Sequence, residues 1–108
     1  MERKVFIEKC DEVRKYWGEI MPMMVMEEAG ELIQAISKYE RGVTEAFCID
    51  DDDTLRKLCN DLIDEIGDMY ILLMALQLQY ECAVTSVLGK TLEELIEDRI
   101  EKKLNKKY

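Results

Sequence analysis

The sequence predicts an all-α fold: a four- to five-helix bundle with no sheet, associating with further copies of itself. Three observations lead there. Only five Gly and one Pro occur in 108 residues, whereas the good helix formers Glu, Lys, Leu, Met, Ile and Ala recur throughout. Apolar residues repeat every three to four positions over long stretches, the period of a helix face. The stretch from about Asp53 to Tyr80 is apolar nearly all round in its second half, more than a helix wet on one side requires. It is therefore expected to be buried against several neighbours, another subunit among them. At 48% hydrophobic and 36% charged, the chain is too apolar for disorder and too charged for a membrane protein. Its length suits one domain, 1–108.

A first helix is expected from about Glu2 to Trp17, with Val5, Phe6, Cys10, Val13 and Tyr16 or Trp17 on its apolar side. Gly18 is a break, and Pro22 fits the first turn of the next helix. That second helix is expected from near Met21 to Tyr39 or Glu40. Met23, Met26, Gly30, Ile33 and the row Leu32, Ile36, Tyr39 supply its apolar surface, and Gly42 is read as its stop. The cluster Met21, Met23, Met24 and Met26 reads as adaptable packing. Residues 43–53 read as a connector. Its four aspartates lack the alternating ligands, central Gly and terminal Glu of an EF-hand loop and fit the N-terminus of the following helix, through capping and the macrodipole. The third helix, about Asp53 to Tyr80, carries Leu55, Leu58, Cys59, Leu62, Ile66, Met69, Leu73 and Leu76 as one stripe. A fourth helical region follows Glu81, with a break near Gly89. Thr91 and Glu94 then form a capping box for a last helix from Leu92 to about Lys106.

Composition narrows the chemistry. No apolar run looks long enough to span a bilayer, and the N-terminus lacks a signal-peptide core, so a cytoplasmic protein with no membrane partner is expected. Cys10, Cys48, Cys59 and Cys82 form no Cys-x-x-Cys and no His is present, which disfavours zinc. The thiols are expected reduced and mostly buried. The lack of His also argues against a di-iron bundle. A net charge of −9 disfavours nucleic acid. The last ten residues carry five basic side chains and one acidic one, a tail that either reaches an anionic ligand or complements a helix C-terminus.

Two acidic motifs stand out. Glu27-Glu28-Ala29-Gly30-Glu31 lies on the second helix and Asp64-Glu65-Ile66-Gly67-Asp68 on the third. Glu28 and Glu31, like Glu65 and Asp68, are three residues apart and so share one side of their helix. Asp61 extends the second set as an i, i+4, i+7 stripe. Both motifs sit in apolar stretches, where a carboxylate needs compensation. Gly30 and Gly67 each precede the last acid. Glycine costs a helix about 1 kcal/mol relative to Ala, and close approach of the two helices would offset that. Four converging carboxylates raise one another's pKa. Mg²⁺ or Mn²⁺ would relieve them and keep coordination positions for phosphate oxygens and water. The competing reading is of surface acids on amphipathic helices.

Glu27-Glu28-Ala29-Gly30-Glu31-Leu32 and Asp64-Glu65-Ile66-Gly67-Asp68-Met69 resemble the Glu-x-x-Glu and Glu-x-x-Asp signature of the MazG-like nucleoside triphosphate pyrophosphohydrolases, the all-α superfamily that includes dimeric dUTPases and phosphoribosyl-ATP pyrophosphohydrolase. The resemblance spans about Trp17 to Leu104 in order of elements. It implies Mg²⁺-dependent cleavage of a nucleotide between its α- and β-phosphates, giving the monophosphate and pyrophosphate. It implies metal ligation by Glu28, Glu31, Glu65 and Asp68, proton acceptance by a motif carboxylate such as Glu28 or Glu65, and a supporting or base role for Glu27. It also implies a homodimer or homotetramer. The stretch between the motifs is longer than in compact members. The basic and Asn phosphate contacts of the family have no clear match: Lys102, Lys103, Asn105 and Lys106 are the nearest, with Lys38 and Asp61 as further substrate contacts. Trp17 or Phe6 could stack on a base. The alternative function is a non-catalytic oligomerisation or regulatory module of the same fold.

Overall fold

In the first helix, Phe6, Cys10, Val13 and Trp17 recur at alternating steps of four and three, and all are at least partly buried. This seam closes α1, Arg3–Trp17, onto the rest of the chain. Asp11 accepts from Arg14 Nε at 2.6 Å and lies 3.4 Å from Lys15, while both cations sit in the last turn, where the macrodipole favours them. Gly18, at φ +54°, ends the helix, a left-handed conformation that glycine adopts without steric penalty. A short 3₁₀ turn, Gly18–Ile20, leads into α2, Met21–Cys48, with Pro22 in its first turn. The computed structural model describes residues 1–106; Lys107 and Tyr108, the end of the basic tail, lie outside the described residues.

The second helix is longer than its sequence pattern suggests. Gly42 does not stop it, and Val43–Cys48 continue as helix with Ala46 buried. The expected connector shrinks to the turn around Ile49–Asp51, with Asp50 at φ +54°. The reason is visible at Gly42: a Cβ there would lie 3.0 Å from Leu58 Cδ1, so the neighbouring helix fills the space that a side chain would take. Asp51 then caps α3, Asp52–Leu88, accepting from Thr54 N at 3.1 Å and from Thr54 Oγ1 at 2.7 Å. These bonds hold the Asp51 carboxyl below its usual range. The aspartate run is thus a helix start, as its composition implies.

The chain divides into two compact units, Met1–Leu76 and a second from Gln77 onward; α3 contributes to both. In the first unit α2 and the first part of α3 form an antiparallel hairpin: Gly42 meets Leu58 near the turn, and Met21 meets Leu72 and Ala75 at the far end, with Val13, Trp17, Val25 and Leu76 packed around them. The inward stripe of α3 is Leu55, Leu58, Leu62, Glu65, Met69, Leu72 and Leu76, half-buried except for Leu72, which with Ala75 is buried. Ile66 and Leu73, expected in it, are 45% and 49% exposed. Met23, Met26, Ile33 and Ile36 are likewise exposed on α2, because one hairpin partner and α1 can cover only one side of each helix.

In the second unit α3 runs on to Leu88, eight residues past its expected end at Tyr80. Nothing breaks it until Gly89, at φ +66°, whose N–H donates to Thr85 O at 2.9 Å. At 37 residues α3 is long and apolar enough to cross a membrane by length and composition alone, contrary to the expectation from its run of apolar residues. Thr91 caps α4, Leu92–Leu104, its Oγ1 accepting from Glu94 N at 3.1 Å. Thr91→Ala is expected to destabilise this exposed helix end by about 1 kcal/mol, seen as faster amide exchange in its first turn. The fold is all-helical, with no strand among the described residues. Of the free cysteines Cys10 is buried, Cys59 is half-buried, and Cys48 and Cys82 are exposed, so the expectation of mostly buried thiols holds for the first two only.

Candidate metal and substrate site

The hairpin brings Glu28, Glu31 and Glu65 together: one carboxylate oxygen of each lies within 4.8 Å of the other two. Their placement follows from helix periodicity. Met21, Val25, Glu28, Leu32, Ala35, Tyr39, Gly42 and Ala46 form the inward seam of α2 at steps of four and three, and Glu65 sits between Leu62 and Met69 in the seam of α3. Two acids therefore occupy positions that packing would assign to apolar side chains. Glu31, one turn from Glu28, reaches the same point from the exposed margin.

The electrostatics are strained accordingly. Glu28 Oε2 and Glu65 Oε2 are buried with no hydrogen-bond partner. Burial first, then the charge of Glu31 and a hydrogen bond with it, then the charges of Asp68 and Glu65, push the Glu28 pKa from 4.5 up to about 7. Burial, followed by the charges of Glu31 and Asp68, raises that of Glu65 too. An unpartnered carboxylate oxygen in a low-dielectric setting is costly unless a cation or a proton meets it. Three carboxylates at this spacing can be relieved either by a shared proton or by a small divalent cation.

The other expected site residues are placed differently. Asp68 does not join the three-carboxylate group; it is exposed, its charge acts on Glu28 and Glu65, and it shares with Glu28 a cavity of about 220 Å³. Trp17 lines that same cavity, with Val13, Met24 and Leu72, so the aromatic candidate does stand beside the acids. Phe6 instead pairs with Tyr70, ring centroids 5.4 Å apart. Glu27 is exposed on α2 and outside the group. Lys38 and Asp61 line one cavity nearer the hairpin turn. Lys102 and Lys103 occupy the last turn of α4 and Asn105 its C-cap, in the second unit with Lys106. Their position there is the helix-end complementation that the sequence offered as one reading.

The motif glycines are not contact points within the chain. A Cβ at Gly30 or Gly67 would meet nothing within 4 Å, and the tight approach of the two helices is at Gly42. Sequence reading missed the apolar wall of the Trp17 cavity, although Val13 and Trp17 share the α1 seam with Cys10. It also missed Arg41 and Lys57, which stand with Lys38 around the second cavity. The signal was the 3–4 spacing of Lys38 and Arg41 just ahead of a glycine. No protein-family model, curated protein or solved structure matches this chain. The likeness to MazG-like enzymes therefore rests on the two acidic motifs.

Proposed function

We propose that this protein is a Mg²⁺-dependent nucleotide pyrophosphohydrolase of the MazG-like kind, working as an oligomeric four- to five-helix bundle. The observation that carries the reading is the meeting of Glu28, Glu31 and Glu65 from two helices, within 4.8 Å of one another. Those three would hold the ion, with Asp68, which shares a cavity with Glu28, adding negative charge beside it; Mn²⁺ suits the same oxygens. Bound Mg²⁺ would neutralise phosphate charge and polarise a water.

The chain's own residues supply the rest. The cavity lined by Trp17, Met24 and Val13 beside Glu28 offers an apolar wall and an indole face for a nucleobase. A nucleotide stacked there would direct its phosphates towards the neighbouring carboxylates. Water then adds to the α-phosphorus as the bond to the α,β-bridging oxygen breaks, and a motif carboxylate takes the water's proton. Glu28 or Glu65 is the carboxylate placed to take that proton, through the oxygen that does not face the ion. The products are a nucleoside monophosphate and pyrophosphate. A panel of nucleoside triphosphates with Mg²⁺, scored for pyrophosphate against orthophosphate, tests the reading. Pyrophosphate release is expected, and release of orthophosphate alone would end it.

The exposed apolar stripes support self-association. Ile63, Ile66, Tyr70 and Leu73 recur at steps of three and four along α3, and Ile63 is 64% exposed. Met23, Met26 and Ile33, three and then seven residues apart, share a side of α2, each about two-thirds exposed. Contiguous apolar surface of this kind marks an interaction site, and a second hairpin of the same sequence would bury both stripes. Sedimentation of the chain is expected to give a dimer or tetramer, and Ile63→Glu to shift it towards monomer. A monomeric parent chain in detergent-free buffer would remove self-association from the proposal.

A further inference from the structure

We propose that the cavity between α2 and α3 rimmed by Lys38, Arg41 and Lys57 is a metal-independent binding site for a polyphosphate anion, pyrophosphate being the simplest. It is separate from the carboxylate group. Lys38 follows Glu31 by seven residues and Lys57 precedes Glu65 by eight. At 1.5 Å per residue both cations stand about 10–12 Å along the hairpin from the acids, towards its turn.

The charge there is anomalous for this molecule. In a chain of net charge −9, three cations converge on one cavity of about 410 Å³. Lys38 and Arg41, three apart on one helix, repel each other, which weakens the helix unless an anion meets them. Compensation within the chain is partial. Lys57 Nζ lies 2.8 Å from Asp61 Oδ2, which neutralises one of the three. Arg41 Nε donates to Ser37 O at 3.2 Å. That bond fixes the guanidinium plane and leaves its two terminal nitrogens, which have no partner among the described residues, for the planar, bidentate contact that phosphate oxygens favour. Lys38 has no partner among the described residues either.

The floor also matters. It is made by Gly42 and Leu58, at the one glycine where a Cβ would press on the facing helix, 3.0 Å from Leu58 Cδ1. A side chain at position 42 would press on Leu58 and disturb this lining. The volume exceeds that of a single phosphate, and cations facing from two helices suit an extended anion. Thr54, its hydroxyl committed to Asp51, serves as wall rather than donor.

The assignment needs neither bound metal nor hydrolysis, so it can be tested apart from the catalytic reading. The full chain is titrated calorimetrically with inorganic pyrophosphate in EDTA at low salt, with orthophosphate and an α,β-methylene nucleoside triphosphate as parallel arms. Pyrophosphate is expected to bind with a sub-millimolar Kd, at least tenfold tighter than orthophosphate, and to weaken with added salt. Lys38→Gln combined with Arg41→Gln is expected to weaken it at least tenfold. Glu65→Gln is expected to leave it within about twofold. Both basic positions are exposed, so the double variant should keep its helical circular dichroism; Lys57→Gln is the second variant should it not. The triphosphate analogue tells a free pyrophosphate site from one reached by a nucleotide's phosphate tail: competition with pyrophosphate for one site shows the tail, simultaneous binding a free site. Binding unchanged in the basic variants, absent from the parent chain, or lost in Glu65→Gln would overturn the proposal. Pyrophosphate binding without any nucleotide cleavage would uphold it while removing the catalytic reading.

Discussion

Glu65→Gln is expected to lower pyrophosphate release at least 100-fold while leaving the chain folded. The substitution keeps shape and removes one negative charge from a position where Oε2 is buried without a partner. If that charge holds a cation, its loss removes a ligand and the electrostatic stabilisation that follows, typically a factor of about 10²–10³ in rate for one preorganised group. Without metal the same change relieves repulsion from Glu31 and Asp68, which raise the Glu65 pKa, so the apo variant should melt higher than the parent at pH 8. Loss of turnover combined with a gain in apo stability is the pattern that separates a functional acid from a structural one. A residue needed for folding would lose both. Two controls sharpen the result. Asp68→Asn should reduce the rate less, because Asp68 stands beside the three-carboxylate group rather than in it. Glu27→Gln, on an exposed side chain outside the group, should change it least. Full activity in Glu65→Gln would remove Glu65 from the site.

How these residues could be found in the sequence depends on periodicity more than on the motifs. Glu28 and Glu65 stand in step with Met21, Val25 and Leu32 and with Leu62, Met69 and Leu72, so seam positions were there to be read and both acids fell on them. The pairing of the two motifs was legible for the same reason. The role of their glycines was not. Gly30 and Gly67 face open space, whereas Gly42, read as a helix stop, is the close approach. Glycine signals a missing side chain, and only the facing helix decides whether that gap is a stop, a notch or a contact. The lengths of α2 and α3 failed in the same way. Val43–Cys48 has weak helix propensity, yet Ala46 is buried against the hairpin, and tertiary packing overrides propensity. The i, i+3 spacing puts Glu65 and Asp68 on one side of α3 without saying which of them the neighbouring helix covers; Glu65 is the half-buried one and Asp68 is exposed beside it.

The pH dependence of the apoprotein, and its removal by Mg²⁺, gives the second large effect. The Glu28 pKa rises from 4.5 to about 7 on folding, so between those values the native state binds more protons than the unfolded chain. Stability therefore falls as pH rises across that window. The contribution is fully present below about pH 4.5 and lost above about pH 7; Glu65, shifted in the same direction, adds to the slope. Without metal, the melting temperature is expected to drop by about 4 °C between pH 5 and pH 8: 1 kcal/mol corresponds to about 4–8 °C in a domain of this size, and solvent screening at these partly exposed side chains keeps the contribution at or below about that size. Added salt should reduce the slope. Saturating Mg²⁺ should reverse the trend, because the ion competes with protons for the same oxygens and binds only the folded hairpin. At a hundredfold excess over its Kd it stabilises by about 2.7 kcal/mol, and the gain should be largest at pH 8, where Glu28 is ionised. In Glu28→Gln both the apo slope and the Mg²⁺ gain should shrink together. A parent protein whose melting temperature ignores both pH and millimolar Mg²⁺ would show that these carboxylates reach water freely, and the catalytic reading would fall with them.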